Sequence, residues 1–197
     1  KGFRSPTIRE LFVWNHNINL KPETAVSYET GILQSFYDHK LKLELVGFTV
    51  NGKDLIINVP MRGLQNAGQI SNLGIEFAAW AEPFENLSLD LAYSYTQMKR
   101  PVYATPKHNL FADANYRFKK LGVIISIQHI NRLDTDPSAD SESYETYTLL
   151  NSKFSYKLLG WCDLFVNAEN ILNRKYVNNI YYPMPGITFF GGLKMKF

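Results

Sequence analysis

The chain has 197 residues, 45% apolar and 14% aromatic (13 Phe, 12 Tyr, 3 Trp), and its net charge of +3 is too small and dispersed to mark a nucleic-acid binder. Its single cysteine, Cys162, excludes an internal disulfide and a cysteine-rich metal site. The apolar runs are too short for a membrane helix of about 20 residues, but a spanning β-strand needs only about 9–11 residues and can alternate.

The chain opens at Lys1 without an initiator Met or a signal sequence, so it is expected to be a piece of a longer protein whose targeting segment lies upstream. It starts in an apparent loop. A short connection follows at Tyr37–Lys40 and a long polar one at Asn51–Asn66. In NLGIEFAAWAEP, Leu73, Ile75, Phe77, Ala79 and Ala81 share one face, with Asn72, Glu76 and Glu82 on the other. A short turn at Pro83–Asn86 leads into LSLDLAYSY, where Leu87, Leu89, Leu91, Tyr93 and Tyr95 oppose Ser88, Asp90, Ala92 and Ser94. After a long connection at Gln97–Lys107, Leu110, Ala112, Ala114, Tyr116 and Phe118 alternate with Asn109, Asp113, Asn115 and Arg117. The turn Phe118–Leu121 precedes LGVIISIQ, in which Leu121, Val123, Ile125 and Ile127 alternate with Gly122, Ser126 and Gln128. A long connection at Arg132–Tyr144, a short one at Lys157–Trp161 and a long one at Leu172–Pro185 complete the series. The closing stretch PMPGITFFGGLKMKF sets Ile187, Phe189, Leu193, Met195 and Phe197 against Thr188, Gly192, Lys194 and Lys196, with Phe190 the large apolar exception.

A period of two with one apolar and one polar face specifies strands, and no window carries a helical period. About nine strands result, with short turns at one end and long loops at the other. An outer-membrane barrel sorts its connections this way, periplasmic turns short and extracellular loops long. Aromatic residues at strand ends (Tyr93, Tyr95, Tyr116, Phe118, Phe154, Tyr156, Trp161, Phe197) fit an interfacial girdle. Bacterial barrels have even strand numbers, and an open sheet would expose a large apolar face. The predicted fold is therefore all-β: an antiparallel transmembrane β-barrel portion belonging to a larger barrel.

Five segments carry a family resemblance. GFRSPTIRELF (2–12) resembles the Gly-Phe-Arg-Ala-Pro motif of TonB-dependent outer-membrane receptors, and LKPETAVSYETG (20–31) resembles the Leu-x-Pro-Glu segment that follows it. AGQISNLGIEF (67–77) is similar to the family's Asn-x-Gly-x-Glu strand start. FVNAENILNRKY (165–176) is similar to its penultimate strand, and PMPGITFFGGLKMKF to its closing strand. Ile187 departs from the pattern, which usually has Arg after Pro-Gly. The resemblance implies that residues 1–197 are the C-terminal part of a barrel of about 22 strands, whose plug domain is absent from this chain. It also implies import of a scarce solute, most often a ferric siderophore, with cobalamin, haem or glycans in some branches. The implied partners are outer-membrane lipid, the TonB complex acting through the missing N-terminal plug region, and the barrel-assembly machinery. The last of these would read Leu193, Met195 and Phe197 as an assembly signal.

No motif of an enzyme is present: there is no Gly-x-Ser-x-Gly elbow, no His-Glu-x-x-His pair and no phosphate-cradling glycine loop. The histidines His16, His39, His108 and His129 are dispersed, and neither a metal site nor a cofactor is expected. LDTDPSADSESYE (133–145) lacks the EF-hand spacing and is read as a solvated loop rather than a Ca²⁺ site. Asp90, Asp113, Asn115, Arg117, Asn167 and Glu169 are expected to line the lumen. Capture of a small-molecule solute such as a metal chelate needs convergent aromatic and hydrogen-bonding groups on the long loops. The candidates are Trp14, His16, Arg62, Gln65, Arg100, Tyr103, Tyr147, Tyr181 and Tyr182. The competing readings are a passive porin-type channel and a soluble secreted β-domain used for binding.

Overall fold

The structure is a computed structural model that describes residues 1–13, 16–59, 61–99, 102–136 and 143–196. Its elements in chain order are β1 (Gly2–Arg4), α1 (Ile8–Phe12), β2 (Glu23–Phe36), β3 (Leu41–Val59), β4 (Gly63–Phe84), β5 (Leu87–Met98), β6 (Pro106–Phe118), β7 (Leu121–Asp134), β8 (Tyr144–Leu159), β9 (Cys162–Glu169), β10 (Val177–Asn179), β11 (Tyr182–Pro183) and β12 (Thr188–Met195). Ten strands form one sheet in the order β1-β2-β3-β4-β5-β6-β7-β8-β9-β12, and β10 pairs with β11 separately. The nine long strands β2 to β9 and β12 match the nine expected from alternation.

The connections are sorted by length as the sequence predicts, except that between β3 and β4, which is short. At one end the turns are residues 37–40, 85–86, 119–120 and 160–161. Tight turns need backbone conformations with positive φ, which Tyr37, Asp38, His39, Asn86 and Lys119 adopt. At the other end the ladder continues into the expected loop 51–66: β3 runs to Val59 and β4 starts at Gly63. That segment looked like a loop because of its Gly, Lys, Asp and Asn residues. It is held as strand by pairing and by side-chain bonds to the N-terminal residues. For the same reason NLGIEF lies inside β4 rather than at its start. The five-residue α1 is too short to carry a helical period.

Register fixes which side chains share a face, because directly opposed residues point the same way. One row reads Leu89, Ala114, Ile125, Ser152, Ala168, Phe189, and the next Leu91, Ala112, Ile127, Leu150. Val123, Phe154, Val166 and Gly191 form another row of this apolar face, as do Tyr156, Leu164 and Leu193. Ala79 and Ala81 line the same shallow depression as Leu89, Leu91, Ala112 and Ala114, which places the Ile75 and Phe77 parity on this face as well. The opposite face carries Asp90, Asp113, Ser126 and Asn151 in one row, with Ser126 Oγ donating to Asp113 Oδ2 at 3.0 Å. Asn115, Ile124, Lys153, Asn167 and Phe190 form the neighbouring row, so Phe190 does stand among polar residues.

By contact density the chain divides into two units, one comprising residues 1–30, 47–74 and 97–100, the other residues 31–46, 75–96 and 101–197. Among the described residues, the buried apolar side chains are Leu20, Cys162 and one small cluster in the second unit, Ile130, Leu133, Tyr147 and Leu149, with Tyr176 packed against it. The apolar face itself stays open, with Ile125, Leu193 and Met195 about half exposed. A face this apolar and this large requires a covering medium, and acyl chains meet that requirement. In the full-length protein, Leu91→Arg should cost about 2–4 kcal/mol if the site lies near the bilayer midplane, whereas Asn115→Arg on the polar face should cost far less. Urea unfolding from phospholipid vesicles measures both, and equal costs would overturn the facing.

Candidate functional site

At the loop side, the first unit is organised around one arginine. Arg4 on β1 donates through Nη1 and Nη2 to both carboxylate oxygens of Glu10 (3.0 and 3.1 Å) and through Nε and Nη2 to those of Glu23 (2.6 and 2.8 Å). The planar guanidinium fork matches two carboxylates at once. Glu10 also closes a capping box with Thr7, accepting from the Thr7 backbone N–H at 2.7 Å while Thr7 Oγ1 accepts from the Glu10 N–H at 3.2 Å. Glu23 accepts the Ile56 backbone N–H at 2.7 Å. Asn66 accepts from the Lys21 N–H and donates to the Lys21 and Asp54 carbonyls. Three sequence segments that carry the family resemblance, or lie next to one that does, are thereby tied together by side chains. The Arg4 guanidinium and the Thr7 N–H hold the Glu10 carboxyl down from 4.5 to about 2. Arg4 and the Ile56 N–H likewise lower that of Glu23.

This framework presents part of the predicted binding set. His16 is exposed. Its neighbour Asn17 donates through Nδ2 to the Leu64 carbonyl at 2.9 Å, which brings the His16 segment beside Gln65, itself half-buried. Arg62 is exposed at a hairpin tip next to Met61, whose φ is 62°. Trp14 and Arg100 lie outside the described residues, as does Phe197.

In the second unit three long connections knit together. The anchor is a bulge in β7: Ile130 opposes Tyr147 and Leu133 opposes Glu145, so Asn131 and Arg132 both stand across from Thr146. Arg132 takes a positive φ of 52°, and Thr146 Oγ1 accepts its N–H at 3.2 Å. The extra residue carries Leu133 into the cluster with Ile130, Tyr147 and Leu149. Beyond the bulge, the Asp134 carbonyl accepts the Ala104 N–H at 2.9 Å and the Thr135 carbonyl accepts the Ile180 N–H at 3.1 Å. Thr135 is fully buried, and its hydroxyl bonds Ser143. Asp134 is also buried, unlike the solvated loop residue expected. Among the described residues no three His, Cys, Asp or Glu side chains gather as a metal cage.

The connection from Asn170 to Ile187 is folded by two asparagines in left-handed conformation, Asn170 (φ 50°) and Asn173 (φ 49°). Asn170 is buried; its Nδ2 donates to the Arg174 and Pro185 carbonyls and its Oδ1 accepts the Arg174 N–H at 2.8 Å. Asn173 Oδ1 accepts the Ile187 N–H at 3.1 Å. Tyr176 lies against the Tyr147 ring with centroids 4.3 Å apart, and the Tyr147 hydroxyl donates to Asn178 Oδ1 at 2.8 Å. Of the tyrosines predicted to bind, Tyr147 is thus buried as the support beneath this connection. Tyr103, Tyr181 and Tyr182 project from connections bonded to residues 134–135 and are 40%, 80% and 68% exposed. Exposed phenols on a backbone locked from below suit noncovalent recognition, offering flat apolar area with a hydroxyl at the tip.

Sequence reasoning quoted Arg4, Glu10, Glu23, Asn170 and Tyr176 inside motifs but gave them no role. Their common property is partners far away in the chain, which one sequence does not display. Two outcomes follow. Asn170→Ala removes three hydrogen bonds and places a Cβ-bearing apolar residue at positive φ, at a cost of about 1–3 kcal/mol in the ordering of residues 171–187. That connection should then be cut faster by protease while the strands resist, and an unchanged cleavage rate would refute the anchoring role. Because the Glu10 carboxyl is lowered in the folded chain, its contribution is complete above pH about 4.5 and is lost as pH falls toward about 2. A spin label on Ile8→Cys should gain mobility over that window, and a flat profile would count against the Arg4 clamp.

The comparisons with known proteins agree with this geometry. The family model described as TonB dependent receptor-like, beta-barrel matches residues 1–171. The metal-pseudopaline receptor CntO of Pseudomonas aeruginosa is 22% identical over 177 residues, covering 81% of this chain and 25% of the relative. The ferric-pyoverdine M114 receptor PbuA of Pseudomonas sp. M114 is 24% identical over 183 residues, covering 82% of this chain and 22% of the relative. The chain therefore spans about a quarter of the length of these curated relatives. Among solved structures, the copper transporter OprC superposes with a TM-score of 0.81 at 16% identity, covering 99% of this chain and 35% of that one. The closed form of the ferric-catecholate import receptor Fiu of E. coli K12 gives 0.74 at 18% identity, covering 98% and 30%. With the alternating sheet, the sorted connections and the family match in agreement, the chain belongs to the TonB-dependent receptor β-barrel family.

Proposed function

We propose that residues 1–197 are the C-terminal part of the barrel of an outer-membrane receptor that captures a metal chelate, a ferric siderophore being the leading class, and imports it with energy transmitted by TonB through a plug region. The single observation that carries this reading is the loop-side framework. Buried Thr135, Asn170 and Tyr147 fix connections whose tips present Tyr103, Tyr181 and Tyr182 to solvent. A loop set that is rigid below and aromatic above offers a pre-organised surface and avoids much of the ordering cost of binding. The names of the relatives, a metal-pseudopaline and a ferric-pyoverdine receptor, and a structural neighbour crystallised with ferripyoverdine support the chelate class. In this reading the apolar face meets outer-membrane lipid and the polar face the lumen. The barrel-assembly machinery reads Leu193, Met195 and Phe197, and Trp14, His16, Arg62, Gln65 and Arg100 are further candidate contacts for the chelate.

The test is uptake of radiolabelled ferric chelates by a strain whose own receptors are deleted and which carries the full-length protein. Tyr181→Ala combined with Tyr182→Ala should weaken capture of the transported chelate by about tenfold, the equivalent of about 1.4 kcal/mol, with an unchanged amount of protein in the outer membrane. Import of no metal chelate by the unaltered receptor, or equal affinity in the double variant, would overturn the reading.

A further inference from the structure

The turn end of the polar face holds a feature that the import reading does not use. A groove of about 420 Å³ there is lined by seven cationic side chains and a single carboxylate, Asp163. Its geometry follows from the ladder. Lys157 on β8 and Lys194 on β12 flank Asp163 on β9 from either side, and Lys196 Nζ lies 3.5 Å from Asp163 Oδ2. One row further from the turns are Arg117, Gly122, Ser155, Phe165 and Gly192. Lys153 stands in the row beyond, with its Nζ 5.3 Å from the centroid of the Phe165 ring. Lys119 and Lys120 close the groove from the β6–β7 turn.

Two glycines keep the floor open. A Cβ on Gly192 would meet Phe165 Cζ at 3.1 Å, so the ring lies across that glycine. A Cβ on Gly122 would meet Ser155 Oγ at 2.6 Å. The result is an apolar plate, the Phe165 ring, bordered by ammonium groups on β8 and β12 and by the Arg117 guanidinium on β6. Like charges brought together across strands repel, and solvent reaches all seven of these side chains, which weakens the repulsion without removing it. Among the described residues of this chain, the one lining carboxylate, already in contact with Lys196, does not balance this set. An occupant carrying several negative groups around an apolar body does.

We propose that this groove is a binding site for a small organic polycarboxylate, its carboxylates held by Lys153, Lys157, Lys194 and Lys196 and its carbon body against Phe165. The site rests on the import reading for its place in the cycle, where an anionic chelate leaving toward the turn side would pause on it. It does not rest on the loop-side tyrosines.

The experiment uses the full-length receptor in detergent at low salt, with citrate as the probe in a calorimetric titration. Saturable binding is expected that weakens as sodium chloride is raised. The triple variant K153Q/K157Q/K194Q should bind citrate about tenfold more weakly or worse, since three exposed charge contacts together amount to roughly that factor. Lys53→Gln, remote from the groove in sequence and strand, should bind as the unaltered protein does. Absence of saturable citrate binding would overturn the proposal, as would equal affinity in the triple variant or equal affinity for inorganic sulfate. A triple variant that melts much lower yet binds citrate unchanged would also overturn it, because the cations would then be balanced by the receptor's own chain. Chelate uptake without citrate binding removes the groove site alone, and citrate binding in a receptor that imports no chelate removes the import reading alone.

Discussion

Cross-strand register is the constraint on which the rest of this structure depends. Successive side chains of a strand point to opposite faces, so a one-residue slip exchanges every apolar side chain with a polar one. Apart from the shifts at Ile130/Leu133 and Lys157/Leu159, the chain holds its register over the long ladder from β5 to β9 and β12, and one face stays largely apolar and the other largely polar. The central rows show the difference most clearly. Leu89, Ala114 and Ile125 follow one another on one side, and Asp90, Asp113 and Ser126 on the other. The fold therefore needs little buried core of its own. The cluster at Ile130, Leu133, Tyr147 and Leu149 serves a local purpose, supporting the connections that carry the candidate site.

The two ends of the ladder solve different problems. At the turn end connections of two or four residues reverse the chain, with residues such as Asn86, Lys119 and Tyr37 to His39 in left-handed conformation. At the loop end the backbone leaves the ladder and its N–H and C=O groups need other partners. Asparagine, glutamate and threonine side chains supply them: Asn66 and Glu23 in the first unit, Asn170, Asn173 and Thr135 in the second. These residues are short or planar and bond main-chain groups directly, which orders a connection without making it a strand. The exposed tyrosines gain a fixed origin from this arrangement and keep their freedom at the tip.

Most of the strand architecture was legible in the sequence, because alternation is a local property and LSLDLAYSY or LGVIISIQ states its own period. The segment 51–66 was not, since its strand character comes from partners at Lys21 and Glu23 rather than from its own composition. The candidate site was legible as a set of residue types on long connections, and Tyr181 and Tyr182 stand exposed as such residues would. Tyr147 shows the boundary of that method. Its ring and hydroxyl read from sequence as a contact for a solute, while Tyr176 and Asn178, about thirty residues later in the chain, take both. The Arg4 clamp was hidden for a similar reason, as an arginine and two glutamates spread over twenty residues have many equivalent pairings until the backbone is drawn.

The bulge at Asn131 and Arg132 bears on how such a chain can change length during descent. Elsewhere in the ladder, gaining or losing one residue would invert the faces from that point to the next connection, placing carboxylates against acyl chains. Length changes inside a strand are thus restricted to pairs, whereas the outer connections accept any number. The β7 bulge is one place where the ladder holds an extra residue. Thr146 takes the orphaned N–H of Arg132, and the inversion it causes delivers Leu133 to Ile130 and Tyr147 before the ladder ends. An odd insertion survives in this architecture when it falls within a few residues of the strand's loop-side end and an apolar side chain waits to be turned inward.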